Sequence, residues 1–491
     1  MKKASLLIDN NDVWAADGRT FDRLNPLTGE IVSRSAAATK EDMEGAVQAA
    51  ATAFLGWAKV SPEEKRRLLM KSADVLESHQ EAFQDVMRAE TGCTASWVAS
   101  NVRLGASMLR EAGAMTTQLG GEVIPANRAN TLALAIRQPV GVVLGIAPWN
   151  APVALGIRAV ASAIACGNTT ILKTSEYCPA THRLIGSVFQ KAGLPAGVCN
   201  ILSSASEDAA SIVQYAIEHP AVRRVNFTGS THVGKAIAQV CAKQLKPVLL
   251  ELGGKSPLVV LNDANIDDAV NAALFGAFNN QGQICMSTDR IIVDESIADE
   301  FVARFSARAR NIRAVGLPVQ GGNYGSMISD HAVKRAVALT QDAIEKGARL
   351  VVGNECAGST MNATVLDHVT PSMAIYHEES FAPVAAVVRV AGEDEAVRVA
   401  NDTEYGLVAS VFTQDTGRGL DVASRLQTGI CHINSSTVYN EPQMPFGGTK
   451  SSGYGRFGGR SVMEEFTELR WVTIQAKALE YPSLECGDNG G

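Results

Sequence analysis

Between Gly141 and Leu252, short apolar runs rich in Val, Ile and Thr alternate with helical patterns, and this alternation constrains the fold more than any other feature of the chain. Gly141 to Ile146 reads as a buried strand, Pro152 to Ala165 as a helix and Asn168 to Lys173 as the next strand. Such a strand–helix–strand unit belongs to a parallel sheet covered on both faces. The pattern recurs: strands at Val198 to Leu202, Arg223 to Phe227 and Val248 to Leu252, with helices at Ala209 to His219 and Thr231 to Gln244. After Gly253-Gly254 a second series begins, with strands at Pro257 to Leu261 and Arg290 to Val293 and a helix over Asp267 to Phe278. The expected class is therefore α/β, with a domain boundary near Gly253. Upstream, Glu41 to Val60 and Pro62 to Glu90 read as long amphipathic helices, the second with Pro62 in its first turn. Gly121 to Gln138 and Glu465 to Gln475 are instead extended and alternating. They predict a small antiparallel appendage whose exposed edge pairs with another subunit.

A chain of 491 residues exceeds a single hydrophobic core, so two or three domains are expected. Charged residues make up 19% and hydrophobic residues 46%, a globular balance. The net charge of -7 and the lack of any long basic stretch argue against a nucleic-acid partner. The uncharged window Gln138 to Ile157 reaches membrane-spanning length. Pro139, Pro148, Asn150 and Pro152 interrupt it, so strand, turn and helix are expected there, not a membrane span. Met1 to Asn10 is charged and lacks an apolar signal core. The nine cysteines have no paired spacing, which predicts neither disulfides nor a metal site and suits a reducing cytoplasm. Cys486 to Gly491 reads as a loose tail.

Two segments carry the chemistry. Asn279-Asn-Gln-Gly-Gln-Ile-Cys285 presents a cysteine on a polar, glycine-containing loop, and Leu250-Glu-Leu-Gly-Gly-Lys255 places a carboxylate between leucines before a glycine pair. A thiol nucleophile and a buried general base are the groups needed to make and then hydrolyse a covalent acyl intermediate. Asn226-Phe-Thr-Gly229-Ser230-Thr-His-Val233-Gly234 closes a strand and opens a helix, where backbone N–H groups attract phosphate. With only Gly229 and Gly234 present, a plain strand-to-helix turn is the alternative. In Pro148-Trp149-Asn150, the asparagine amide could donate to an oxyanion or simply cap the helix. Lys173 and Glu176 follow a strand at the position where doubly wound sheets line their crevice, or form a solvated charge pair. Ala151, Ala154, Leu155 and Arg158 share one helical face that begins directly after Asn150.

These motifs, in this order, closely resemble the aldehyde dehydrogenase superfamily, from Asn25-Pro26-Leu27-Thr28-Gly29 to Trp471. The most specific pieces are Leu250–Ser256, Gln281–Cys285, Glu378-Glu-Ser-Phe-Ala-Pro383 and Pro445-Phe-Gly-Gly-Thr-Lys-Ser-Ser-Gly453. Within the superfamily the chain looks most like the bacterial hydroxybenzaldehyde branch. The resemblance implies Cys285 as nucleophile, Glu251 as base for hydrolysis, and Asn150 with the Cys285 N–H as oxyanion donors. It implies NAD as cofactor. Lys173 and Glu176 would lie on the adenosine ribose, Gly229 and Ser230 by the pyrophosphate, and Glu379 and Phe381 by the nicotinamide riboside. Ile146, Pro148, Trp149, Val233, Leu252 and Gly253 would complete that site. Arg158 would donate to a ring hydroxyl or phenolate of the substrate, the alternative being an arginine paired to a buried carboxylate. Trp97, Tyr439 and Phe446 would sandwich the ring, beside Ile284. Ala382 departs from the usual glycine of the Glu-x-Phe-Gly-Pro pattern.

The implied architecture is a Rossmann-like cofactor domain (residues 1–120 and 140–252), a second α/β catalytic domain (253–450) and oligomerisation segments (121–139 and 465–480), in homodimers or homotetramers. The implied activity is hydrolytic, NAD-dependent oxidation of an aromatic aldehyde, with no metal. The other readings are a broad-specificity, aliphatic or semialdehyde dehydrogenase, a coenzyme A-acylating relative, against which Glu251 argues, and a non-catalytic binding protein.

Overall fold

Strands Val142–Ile146, Thr169–Lys173, Cys199–Leu202, Val222–Thr228 and Val248–Glu251 pair in parallel within one eight-stranded sheet. The computed structural model describes residues 1–315 and 324–481. The tail expected over Cys486–Gly491 lies outside them. In space Val142–Ile146 is central. The next two strands in sequence lie on one side of it, and Val222–Thr228 followed by Val248–Glu251 on the other. That reversal is a topological switch point, and ligands of doubly wound sheets bind beyond the strand C-termini at such a point. Two antiparallel additions flank the parallel part: Leu6–Ile8 with Asn11–Val13 on one side, and Gly453–Tyr454 on the other, where Gly453 faces Glu251. Helix Pro152–Ala165 is buried along almost its whole length, which its nearly all-apolar sequence requires.

The second sheet has seven strands, in the order Arg349–Val352, Thr364–Asp367, Val384–Val390, Arg290–Asp294, Pro257–Val260, Val408–Phe412 and Ile430–Ile433. Its pairs are parallel except the first. Consecutive strands Val248–Glu251 and Pro257–Val260 thus belong to different sheets, with Gly253-Gly254 in the crossing. The segments expected to form an appendage do so: Thr467–Gln475, Thr131–Pro139 and Gly121–Ile124 make a three-stranded antiparallel sheet, with Trp471 opposite Ala135.

Two expectations upstream need correction. Pro62 to Glu90 is not one helix but two, Pro62–Ser78 and Gln80–Thr91. His79 interrupts the ladder at φ -102 and ψ 14; its N–H turns back to Leu76 and its ring nitrogen bonds the Val75 carbonyl. Ala95–Met115, for which no helix was foreseen, is the longest helix among the described residues. No helix among the described residues is long and apolar enough to cross a membrane; the window Gln138 to Ile157 resolves into strand ends, a turn and the start of a helix.

Candidate active site

The Cys285 loop is built on left-handed backbone. Asn280, Gln281 and Gly282 have φ of 47°, 58° and 68° in succession. Left-handed conformation costs a non-glycine residue roughly 1–2 kcal/mol, so the surroundings must hold it. They do: Asn280 Nδ2 donates to the Asn150 carbonyl (3.1 Å), and Ile328 N–H donates to Gln283 Oε1 (2.9 Å). A Cβ on Gly282 would lie 2.1 Å from the Ala382 carbonyl oxygen. Gly282→Ala is therefore expected to destabilise the protein by about 1–3 kcal/mol and to lower its rate, as read by thermal unfolding and turnover. An unchanged midpoint would show that this contact relaxes freely. The positive φ in the segment Glu378–Pro383 falls on Phe381 (47°) and not on Ala382, which explains why alanine serves there.

The glycine pair of the Glu251 segment is explained by approach. A Cβ on Gly254 would meet the Cys285 carbonyl oxygen at 2.6 Å, and one on Gly253 would meet Glu379 Oε2 at 2.7 Å. The two glycines thus let the cysteine loop and Glu379 close onto the end of the Glu251 strand. Asn150 is fixed from three directions: its Nδ2 donates to the Gln283 carbonyl (2.9 Å), and its own carbonyl accepts from Trp97 Nε1 (2.9 Å) and from Asn280. Its amide retains a second N–H.

Cys285, Glu251 and Asn150 line one cavity of about 250 Å³, with Leu155, Thr228, Arg335, Leu252, Gly253, Glu379 and Phe381. Cys285 keeps part of its surface open to this cavity. Its sulfur lies deep, and burial pushes the thiol pKa well above its usual value; the charge of Glu251 raises it further and Arg158 opposes this. Glu379 accepts from Gly254 N–H (3.1 Å), and burial pushes it up to about 8, with Asp289 adding to the rise.

Pro148, Trp149, Thr228, Gly229 and Ser230 line this cavity and also a neighbouring crevice of about 550 Å³ at the switch point. Ile146, Lys173, Glu176 and Val233 line the crevice too. Ser230 caps helix Thr231–Lys243, its hydroxyl accepting from Val233 N–H, and Thr174 Oγ1 is buried there without a hydrogen-bond partner. A capped helix N-terminus beside a glycine, an unused hydroxyl and a carboxylate past the neighbouring strand fit a dinucleotide. All twelve residues expected at the cofactor site thus line one or other of two adjoining spaces. Trp149 joins them, its ring edge-on to both Phe381 (5.6 Å) and Tyr177 (6.1 Å).

The substrate residues divide. Trp97, Ile284 and Phe446 gather in one apolar cluster with Cys285. Tyr439 does not join them: it is exposed, sets its ring against His432 and bonds Glu441, so its expected place against the substrate ring is corrected. Arg158 is also corrected. Its Nη2 donates to Glu251 Oε2 (2.7 Å) and Thr228 Oγ1 (2.8 Å), and its guanidinium lies over the rings of Phe457 (4.3 Å) and Phe446 (5.0 Å). The carboxylate-paired alternative is the one the fold adopts, because a charge buried to 6% exposure needs a counter-charge. Sequence reasoning assigned no role to Thr228, Arg335 or Phe457. Thr228 sat inside a quoted motif, whereas Arg335 and Phe457 carried no local signal. Among the described residues, no cluster of His, Cys, Asp or Glu could hold a metal ion.

Residues 14–472 match the profile of the aldehyde dehydrogenase family. The chain is 55% identical to a vanillin dehydrogenase of Pseudomonas fluorescens over 98% of its own length and all of the relative's. It superposes on the crystal structure of a salicylaldehyde dehydrogenase from Pseudomonas putida G7, complexed with salicylaldehyde, with a TM-score of 0.96 at 49% identity, covering 98% of this chain and all of that one. An NAD-dependent aldehyde dehydrogenase from Sinorhizobium meliloti superposes with a TM-score of 0.93 at 33% identity, covering 98% and 97%.

Proposed function

The chain belongs to the aldehyde dehydrogenase family, is an oxidoreductase that uses a nicotinamide cofactor, and we propose that its substrates are hydroxylated benzaldehydes, oxidised with NAD to the carboxylic acids. The observation that carries this reading is the meeting of Cys285, Glu251 and Asn150 around one cavity that adjoins the dinucleotide crevice. The apolar cluster beside Cys285 and the substrates named for the similar proteins support an aromatic ring.

The Cys285 thiol passes its proton through Glu251 to solvent, and the sulfur bonds as thiolate to the aldehyde carbon. The carbonyl oxygen becomes an alkoxide that the Asn150 amide and the Cys285 N–H are suited to stabilise. The cofactor, when bound, supplies the acceptor for the hydride that leaves this carbon, and the sulfur is left bearing a thioester. Glu251 then takes a proton from water as the water oxygen bonds to the acyl carbon. The carbon–sulfur bond breaks, Cys285 returns to thiolate and the acid is released. Steady-state formation of reduced nicotinamide with benzaldehyde, its hydroxy isomers, vanillin and a medium-chain aliphatic aldehyde tests the substrate class. Preference for the aliphatic aldehyde would reject it. Activity that requires coenzyme A would reject the hydrolytic route.

NAD over NADP is inferred from Glu176, a carboxylate in the crevice past strand Thr169–Lys173. Its charge would repel the additional phosphate of NADP. Like-charge juxtaposition costs several kcal/mol, so Glu176→Ser is expected to shift the ratio of efficiencies toward NADP by at least roughly tenfold. Equal use of both cofactors by the wild type would remove this role. A homo-oligomer is inferred from edge strand Thr467–Gln475, on which Leu469, Trp471 and Ile474 are exposed by half or more.

A further inference from the structure

We propose that Arg158 is a positioning residue for the general base: wedged between two phenylalanine rings, it holds the Glu251 carboxylate beside Cys285 and offsets its charge there. This rests on the reading of Glu251 as the base. Phe446 and Phe457 exchange backbone hydrogen bonds (2.7 and 2.8 Å), so the two rings form one fixed slot for the guanidinium. The slot accepts a planar cation, and the in-plane Nη2 meets Glu251 and Thr228. Thr228 stands opposite Glu251 in the pairing of their strands, so the arginine bridges two neighbouring strand ends. Only one carboxylate oxygen, Oε2, meets the arginine. Oε1 is buried and accepts from neither Arg158 nor Thr228, and Glu251 lines the cavity together with Cys285. A base held by one oxygen with the other clear of the arginine is arranged to take a proton at a fixed place. The remaining charged groups around the thiol are Glu379 and Arg335 across the cavity, with Lys255 and Asp289 behind Gly254. None of these is hydrogen-bonded to Glu251.

The test is a double-mutant cycle over wild type, Arg158→Met, Glu251→Gln and the double variant. Because misplacing a reacting group by about 1 Å can cost about 10²-fold, Arg158→Met is expected to lower kcat by ~10–100-fold, equally on benzaldehyde and on its hydroxy isomers. In the Glu251→Gln background the same substitution should change kcat by less than about threefold, since the group it positions is gone. Additive losses would overturn the proposal. So would a loss confined to hydroxylated substrates, which would make Arg158 a reader of the ring. Should Arg158→Met not fold, Arg158→Lys carries the same cycle, with coupling again expected and additivity overturning it. A second readout needs no aldehyde turnover: alkylation of Cys285 by iodoacetamide at neutral pH. Arg158→Met should slow alkylation, because it removes the cation that opposes the Glu251 charge at the thiol. An unchanged or faster rate would overturn the offset. If the wild type oxidises none of the aldehydes, the functional reading fails while the alkylation rates still decide this one.

Discussion

Cys285→Ala is expected to abolish dehydrogenase activity while leaving cofactor binding intact. Among the described residues no other thiol can replace it. Cys93, Cys166, Cys178, Cys199 and Cys241 are buried elsewhere, and Cys356 and Cys431 line neither the Cys285 cavity nor the crevice. Burial pushes Cys166 and Cys199 up to about 12, so these thiols stay protonated and inert. The loss should be near complete because hydride can leave the aldehyde carbon only after sulfur has added to it. The crevice residues Lys173, Glu176, Gly229 and Ser230 are untouched, so calorimetric titration with NAD should match the wild type. Retention of more than about a tenth of the rate of reduced-nicotinamide formation would end the covalent mechanism.

Glu251→Gln is expected to lower kcat by roughly 10²–10⁴-fold, the usual cost of losing a general base. Glutamine keeps the shape and can still accept from Arg158 through its amide oxygen, so the fold should hold. Hydrolysis should slow more than hydride transfer, and intact-mass analysis of quenched enzyme should show acyl-Cys285 accumulating. The thiol supplies an independent check of sign. The Glu251 carboxylate raises the Cys285 pKa, so replacing it with a neutral amide lowers that pKa toward its usual value. At any pH below it, more thiolate is present and alkylation runs faster. Slower alkylation in the variant would show that the carboxylate does not act on the sulfur as placed here.

The dominant elements around the site were legible in the chain because their signals are local. Helix Pro152–Ala165 has the bounds that its pattern predicts, since a proline start and a nearly all-apolar run leave little choice. The strands that carry Ile146, Lys173, Thr228 and Glu251 were read to within a residue or two for the same reason. The break at His79 was not legible, because the helical period of the apolar residues continues through it.

Sequence alone determined which groups are available: one cysteine on a glycine loop, one carboxylate before a glycine pair, an amide after a strand, and an arginine on an otherwise apolar helical face. The alternating α/β pattern also put Lys173, Glu176, Gly229 and Ser230 at strand ends, while the other crevice residues followed only from the family resemblance. Only the tertiary structure decided what Arg158 meets. Its partners Thr228, Glu251, Phe446 and Phe457 lie between 70 and roughly 300 residues away in the chain, and no local pattern encodes that meeting. The same holds for Tyr439, whose apolar ring suggested a pocket wall but which lies at the surface, against His432. A buried charge takes its partner from whatever the packing of distant elements brings within reach. Residue type and spacing could therefore state the need for a counter-charge at Arg158 but not name it.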